Sequence, residues 1–178
     1  MLSSLVLPIV ISGVALFIAS FVSWMVLHLH NEDWKKFPNE DAVMSAVGAN
    51  AAEGNYMVPG MTHRSEMMTP EFQQKFKTGP RFTMTILPMT NMGRNLGLTF
   101  VYFLAISFTL GYLGSIAFQP GASFMNVFRF IFTASLPMFL AGYLAHSIWF
   151  RIRVVGHIIE SIAYAVIVGL IFAGMWPK

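Results

Sequence analysis

Four long apolar stretches, separated by polar segments of very different length, dominate the pattern of the chain. They cover residues 5–27, 96–118, 124–150 and 154–175. Each is close to the about 20 apolar residues that an α-helix needs to cross about 30 Å of hydrocarbon. The pattern therefore predicts an all-α membrane protein in which four transmembrane helices form a bundle.

The only sizeable polar segment lies between the first and second apolar stretches and covers about residues 31–95. It contains two pairs of helix start and stop signals. Asn39 precedes two acidic residues and the run ends at Gly48, which is typical of a short capped helix. Proline at Pro70 suits the first turn of a second helix, and Gly79 is expected to end it.

Strand patterns occur in the same segment. Apolar residues alternate with threonine over residues 82–86, as in a half-buried strand, and residues 56–58 are the expected partner strand. We therefore predict a small mixed α/β polar insertion between the first two transmembrane helices. The whole chain, residues 1–178, is interpreted as a single membrane domain.

Basic residues lie mainly on one side of the predicted topology. Near the ends of the spans on that side are Lys35, Lys36, Arg81, Arg94, Arg151 and Arg153, whereas Lys178 lies on the other side and Arg129 near its boundary. Lys and Arg close to a span resist translocation, so the side that carries them is expected to be cytoplasmic. We predict a cytoplasmic insertion and both termini outside.

Composition narrows the range of functions. The hydrophobic fraction is 56% and the charged fraction 11%, whereas soluble domains carry about 25% charged residues. The net charge is +3, but the basic residues form no continuous patch with interleaved aromatics, so nucleic acid is not an expected partner. The absence of cysteine excludes disulfides, thiolate metal sites and cysteine nucleophiles. No phosphate loop, H-E-x-x-H or G-x-S-x-G motif occurs, so we expect no catalytic residues and no enzyme.

Small residues recur every four positions in three of the spans. They are Ser161, Ala165, Gly169 and Ala173 in the fourth, Ser107, Gly111 and Ser115 in the second, and Ala15, Ala19 and Ser23 in the first. Such faces let helix backbones approach closely. They are predicted helix-packing surfaces, which either pack against one another within the bundle or dock on a foreign helix.

Ionisable side chains within or at the ends of membrane helices are functional candidates, because burying them is costly. Four ligand candidates, His28, His146, His157 and Glu160, are expected to converge with His30 at the cytoplasmic interface. Two imidazoles and a carboxylate suit a transition metal, and a basic pocket suits an anionic lipid head group. A lone membrane histidine such as His146 also suits a pigment or haem. The favoured interpretation is an ion pair of Glu160 with a nearby Arg or His, so we predict no metal and no cofactor.

Several short motifs also carry a family resemblance. They are SWMVL at residues 23–27 with His30, FPNEDAV at residues 37–43, GNYMVPG at residues 54–60, and Gly79-Pro80. They resemble a group of small bacterial membrane proteins with a first span that ends in a W/H-M-V-L-P-like signature, a polar insertion and three further spans. The resemblance covers the first 60 residues by motif and the rest by layout, and His28 stands where that signature often has proline. It implies a bacterial cytoplasmic membrane and this architecture, and brings no function or site residues.

Two functions follow from these observations. The first is a non-catalytic accessory subunit that docks by its helices on other integral membrane subunits of a larger complex, with a photosynthetic or respiratory assembly as the expected host. Membrane lipids, and pigments or quinones nearby, are the other expected contacts. The alternative is a free-standing membrane binder or carrier of a metal, a lipid or a quinone.

Overall fold

The computed structural model of the protein describes residues 1–48 and 51–178. Within these residues, four helices are long and apolar enough to cross a membrane, and a two-stranded sheet lies between the first and the second. The chain divides into two compact units, one formed by residues 1–35 and 92–178 and the other by residues 36–91. The predicted fold class, a four-helix membrane bundle with a small mixed α/β insertion, is confirmed, and the chain is a multi-pass membrane protein.

The elements follow one another in the predicted order. The first span, Leu2–Val26, consists of a short 3₁₀ turn, helix α1 (Val6–Phe21) and a π-helical turn at Val22–Val26. The insertion contains α2 (Glu40–Gly48), β1 (Gly54–Val58), α3 (Pro70–Thr78) and β2 (Phe82–Ile86). The other spans are α4 (Met92–Ala117), α5 (Phe124–Trp149) and α6 (Val155–Gly174).

Helix ends follow local chemistry rather than hydrophobicity alone. Helix α4 begins at Met92 rather than at residue 96, because polar residues can continue a helix past its apolar part. The hydroxyl of Ser123 caps α5 by accepting a hydrogen bond from the backbone N–H of Asn126 at 3.4 Å. Helix α5 is continuous through Pro137.

The insertion unit has the predicted strand pair. Strands β1 and β2 are antiparallel, and Tyr56 lies opposite Met84 in the register. Thr69 caps α3 by accepting from the backbone N–H of Phe72 at 3.3 Å, and Pro70 occupies the first turn as expected. The guanidinium of Arg81 lies 4.8 Å from the centre of the Phe76 ring, a cation–π contact that joins the residue before β2 to α3.

Two apolar clusters hold the bundle together. The first, here called the terminal core, joins the start of α1, the middle of α4, the start of α5 and the end of α6. It consists of Leu5, Ile9, Leu110, Val127, Ile131, Val168, Phe172, Ala173 and Trp176. The second, the middle core, consists of Leu16, Phe103, Phe139 and Tyr164. The Tyr164 ring makes edge-to-face contacts with Phe103 at 5.6 Å and Phe139 at 5.3 Å, so α4, α5 and α6 meet at this level.

The predicted small-residue faces lie at different depths in the packing. All four small residues of α6 are buried inside the bundle, as are Ser107, Gly111 and Ser23, whereas Ala15, Ala19 and Ser115 are only partly buried. A Cβ atom at Gly169 would lie 3.0 Å from the Phe128 ring, and one at Gly111 would lie 3.0 Å from Ile9. The α6 face therefore packs against helices of the same chain. Helix α1 presents a neighbouring face, which includes Ser12 and Leu16.

The C-terminal segment closes one end of the bundle, and this gives a test of the terminal core. The indole N–H of Trp176 donates to the carbonyl of Gln119 at 3.2 Å, and the backbone N–H of Gly121 donates to the carbonyl of Pro177 at 2.8 Å. Trp176→Ala should lower the unfolding free energy by about 3–5 kcal/mol, because it empties a packed site. Thermal unfolding in detergent measures this change.

The control for this variant is Trp149→Ala, since the Trp149 side chain is 85% exposed. It should leave the unfolding temperature unchanged. Equal effects of the two substitutions would show that the Trp176 contacts contribute nothing to the bundle.

Candidate functional site

A group of ionisable side chains, three of them buried, lies where the first span ends and α6 begins. We call it the polar cluster; it consists of His30, Asp33, Arg153, His157 and Glu160. The chain reverses just after the first span, where His28 adopts a left-handed backbone conformation with φ of 52°. Such a conformation is uncommon for a residue other than glycine. The reversal places the His30 side chain against the start of α6, where it is 3% exposed.

His30 lies at the centre of the polar cluster. Its Nδ1 lies 2.7 Å from Oδ2 of Asp33, and its Nε2 lies 3.4 Å from Oε2 of Glu160. The imidazole ring stacks on Trp24 with the ring centres 4.2 Å apart. These contacts fix the orientation of the ring and leave Nε2 facing the Glu160 carboxylate.

Glu160 and His157 come from the first half of α6. The Glu160 side chain is held by the Tyr164 hydroxyl, which donates to Oε1 at 2.5 Å one helical turn further on. The His157 ring stacks on Tyr143 at 3.7 Å and lies 4.6 Å from the His30 ring, with Nε2 at 3.8 Å from Oδ2 of Asp33. Both residues are largely buried, at 8% and 9% exposure.

Arg153 ties the segment after the first span to the start of α6. Its guanidinium donates to the carbonyl of Leu29 at 3.1 Å and lies 3.0 Å from the Glu32 carboxylate. It also lies 3.6 Å from Oδ1 of Asp33, so it forms ion pairs with both carboxylates of the returning segment.

Gly156 allows this close approach. A Cβ atom at this position would lie 2.9 Å from the carbonyl oxygen of Leu29 and 3.2 Å from Cε1 of His30. Both contacts are tighter than ordinary packing allows, and the first is to backbone that a rotamer change cannot move. The absence of a side chain at Gly156 therefore determines how near His30 comes to α6.

Three atoms of the polar cluster are buried without a hydrogen-bond partner among the residues that the structure describes: His30 Nε2, His157 Nδ1 and Asp33 Oδ1. A buried polar atom left in this way costs about 1–3 kcal/mol. One nitrogen of His30, one nitrogen of His157 and one carboxylate oxygen of Glu160 all lie within 4.8 Å of one another. Two imidazoles and a carboxylate are ligands that suit Zn²⁺ and other divalent first-row metals.

Two neighbouring cavities open on the polar cluster. The lateral cavity has a volume of about 530 Å³, and Trp24, Tyr102, Tyr143, Glu160 and Tyr164 are among its lining residues. The mouth cavity has a volume of about 780 Å³, and Asp33, His146, Arg151, Arg153 and His157 are among its lining residues. The two cavities share four lining residues, Trp24, Tyr102, Phe139 and Tyr143.

The structure brings together only some of the ligand candidates from the sequence. His157 and Glu160 lie in the polar cluster, as does His30. His28 forms the backbone turn and its side chain is exposed. His146 is also exposed; it stacks on Phe150 at 4.4 Å and lines the mouth cavity instead.

Asp33 is the residue that sequence reasoning missed. It lies three positions after His30, a spacing that lets the two side chains meet in the turn at Asn31–Asp33. His30 was already expected near the interface, so an acidic residue three positions after it is the sequence feature that could have predicted Asp33 as its partner. The expected partner of Glu160, a nearby Arg or His, is His30 at 3.4 Å.

Comparison of the chain with protein-family models, with curated proteins and with solved structures finds no match. The resemblance to small bacterial four-span proteins therefore stays a prediction, and the argument for function rests on the geometry of the polar cluster.

Gly156 gives a test of this geometry. Gly156→Ala should lower the unfolding free energy by about 1–3 kcal/mol, because the added methyl group forces the Leu29 carbonyl away from α6. Gly174→Ala in the same helix is the matched control, since a Cβ atom there meets nothing within 4 Å. Thermal unfolding in detergent compares the two; a Gly156 variant as stable as the Gly174 variant would contradict the close approach.

Proposed function

We propose that the protein is a membrane-embedded binder of a divalent transition metal, with His30, His157 and Glu160 as ligands. Two observations support this proposal. His30 Nε2 and His157 Nδ1 are buried without hydrogen-bond partners among the described residues, and each of these two histidines places one ring nitrogen within 4.8 Å of the other's and of a Glu160 oxygen. An ion pair of protonated His30 with Asp33 and Glu160 would satisfy His30 alone. It would leave His157 Nδ1 buried and unpaired, whereas a shared metal ion would use one ring nitrogen of each histidine.

The spacing suits a four-coordinate ion after small movements. Zn–N and Zn–O bonds of about 2.0–2.2 Å in a tetrahedron place neighbouring ligand atoms roughly 3.3 Å apart. His30 Nε2 and Glu160 Oε2 are already 3.4 Å apart. The ligand atoms of all three residues lie within 4.8 Å of one another, so side-chain movements of about 1.5 Å bring them to tetrahedral spacing.

The groups behind the ligands support the same function. Metal-bound histidines usually donate their other ring N–H to a carboxylate, which fixes the tautomer and makes the ligand nitrogen more basic. Asp33 has that position behind His30 at 2.7 Å, and the Tyr164 hydroxyl orients Glu160 in the same way. Two of the three ligands therefore have a partner that holds them for coordination.

Charge balance also favours a cation. Glu160 is buried, the Asp33 side chain is 12% exposed and Glu32 adds a third carboxylate at the edge, whereas Arg153 supplies one positive charge, paired with Glu32 and Asp33. Unpaired buried charges are costly in a membrane protein. A divalent ion between neutral imidazoles would compensate the Glu160 and Asp33 carboxylates without requiring a proton on either histidine.

Metal binding is measured directly by elemental analysis and by titration of the purified chain with Zn²⁺. His30→Ala, His157→Ala and Glu160→Gln should abolish stoichiometric binding, because each removes a ligand. Asp33→Asn should weaken it about 10–100-fold, which is the usual effect of losing a carboxylate behind a metal-bound histidine.

The matched controls are His28→Ala and His146→Ala, which remove imidazoles outside the polar cluster. Both should bind Zn²⁺ as the parent chain does. Loss of binding in these controls, or retained binding in the His157 and Glu160 variants, would contradict the proposed site.

The membrane location is part of the proposal. The sequence favours a bacterial cytoplasmic membrane, with the insertion cytoplasmic and both termini outside, because the basic residues near the spans lie on the insertion side. In this topology the polar cluster lies at the cytoplasmic interface.

The accessory-subunit function stays a prediction. The polar cluster gives metal binding a specific set of contacts, whereas the α6 small-residue face is already covered by the same chain.

Cysteine labelling tests the predicted orientation in the membrane. The chain has no cysteine, so a label on a single introduced thiol shows on which side of the membrane that one residue lies. Met89 is 98% exposed, and Met89→Cys places the label in the insertion. An impermeant maleimide should label Lys178→Cys in intact spheroplasts and should label Met89→Cys only after lysis. The reverse pattern would overturn the orientation.

A further inference from the structure

The lateral cavity gives the polar cluster access to the hydrocarbon region. Its walls come from α1, α4, α5 and α6, and its lining is mainly aromatic and apolar except near Glu160 and Tyr164. Phe103, Phe139 and Tyr164, three residues of the middle core, also line it and close it at the level where the helices meet. Its volume of about 530 Å³ lies in the range of about 300–1,000 Å³ that is usual for ligand sites.

Helices α4 and α5 are in contact near the turn that joins them, where Phe118 and Phe130 make an edge-to-face contact at 5.3 Å. Further from this turn, Thr99 and Tyr102 of α4 and Tyr143 of α5 line the lateral cavity. The cavity therefore lies in a cleft between two membrane helices, where an apolar chain can enter from the side.

The mouth cavity next to it has two arginines and one carboxylate, Asp33, among its lining residues. Arg151 and Arg153 both line it, together with Trp24 and Trp34, the aromatic residues typical of the membrane interface. Arg153 is already paired with Glu32 and Asp33. The Arg151 side chain makes no hydrogen bond or ion pair within the described ranges, so it is available to an anionic group.

Metal coordination would leave room for such a group. Two histidines and one carboxylate fill three positions of a tetrahedral ion, and the fourth is then open to water or to a ligand. Asp33 and His157 border the mouth cavity and Glu160 borders the lateral cavity, so both cavities adjoin the proposed metal site.

We propose that an anionic phospholipid occupies the two cavities. Its phosphate lies in the mouth cavity near Arg151 and supplies the fourth metal ligand, and one acyl chain lies in the lateral cavity between α4 and α5. This inference rests on the proposed metal site. Charge complementarity selects the ligand: Arg151 and a divalent ion favour a phosphate with net negative charge over an uncharged quinone head group, and the apolar walls favour an acyl chain.

The experiment uses the full chain in nanodiscs of phosphatidylglycerol and phosphatidylcholine in equal amounts, loaded with Zn²⁺. Native mass spectrometry after release from the nanodisc counts both metal and lipid on each molecule. The expected result is one Zn²⁺ and one phosphatidylglycerol. Treatment with EDTA should remove both, because ligands that bind one another are thermodynamically linked.

Two substitutions test the two parts of the lipid separately. Arg151→Gln should lower phosphatidylglycerol retention about tenfold, since a hydrogen bond from a charged donor is worth roughly this factor, and should leave Zn²⁺ bound. Gly142→Leu fills the mouth cavity without a clash, because a Cβ atom there meets nothing within 4 Å, and it should have the same effect.

The matched controls are Arg129→Gln, which removes an arginine from the other end of α5, and Gly97→Leu, which adds the same side chain at another open glycine. Both should retain metal and lipid. The lipid inference would be overturned if the Zn²⁺-loaded chain held phosphatidylcholine as well as it held phosphatidylglycerol, or if it held a quinone or free phosphate instead of a lipid. Either result would leave the metal site standing. Lipid that stays after EDTA would overturn the coordination by phosphate. Loss of Zn²⁺ binding in the parent chain would overturn the proposed function itself.

Discussion

A carboxylate inside a membrane helix has to be compensated, and the compensation of Glu160 organises one end of this molecule. The Tyr164 hydroxyl holds one oxygen, and His30 faces the other at 3.4 Å. His30 reaches this place only because the chain reverses at His28 and because Gly156 has no side chain. Arg153 then fixes the returning segment through the Leu29 carbonyl and the Glu32 and Asp33 carboxylates.

The two ends of the bundle differ in what holds them together. At one end, large apolar side chains such as Phe172 and Trp176 fill the terminal core, and the turn between α4 and α5 is tied to the C-terminal segment. At the other end, polar contacts and aromatic stacking replace apolar packing, and two cavities remain between the helices. The packed end fixes the relative positions of the helices that line the two cavities at the other end.

The sequence predicts the fold well because span length, helix caps and strand alternation are local signals. Thr69, Pro70 and the alternation over residues 82–86 place α3 and β2 nearly where the structure has them. The polar cluster is harder to predict from the sequence. It depends on a chain reversal at His28, a residue other than glycine, and no local sequence pattern indicates such a reversal. The sequence does not determine which face of a membrane helix is buried either. Ala15 and Ala19 have the spacing of a packing face, but the buried face of α1 is the neighbouring one with Ser12 and Leu16. Which face is buried depends on how the helices pack in three dimensions.

X-ray absorption at the zinc K-edge of the Zn²⁺-loaded chain identifies the ligands of the bound ion. Binding between His30, His157 and Glu160 should give a four-coordinate ion with two imidazole ligands and oxygen from a carboxylate, at distances of about 2.0–2.2 Å. A spectrum of six oxygen ligands without imidazole scattering would contradict it, since such an ion would be bound at the surface and not between His30, His157 and Glu160.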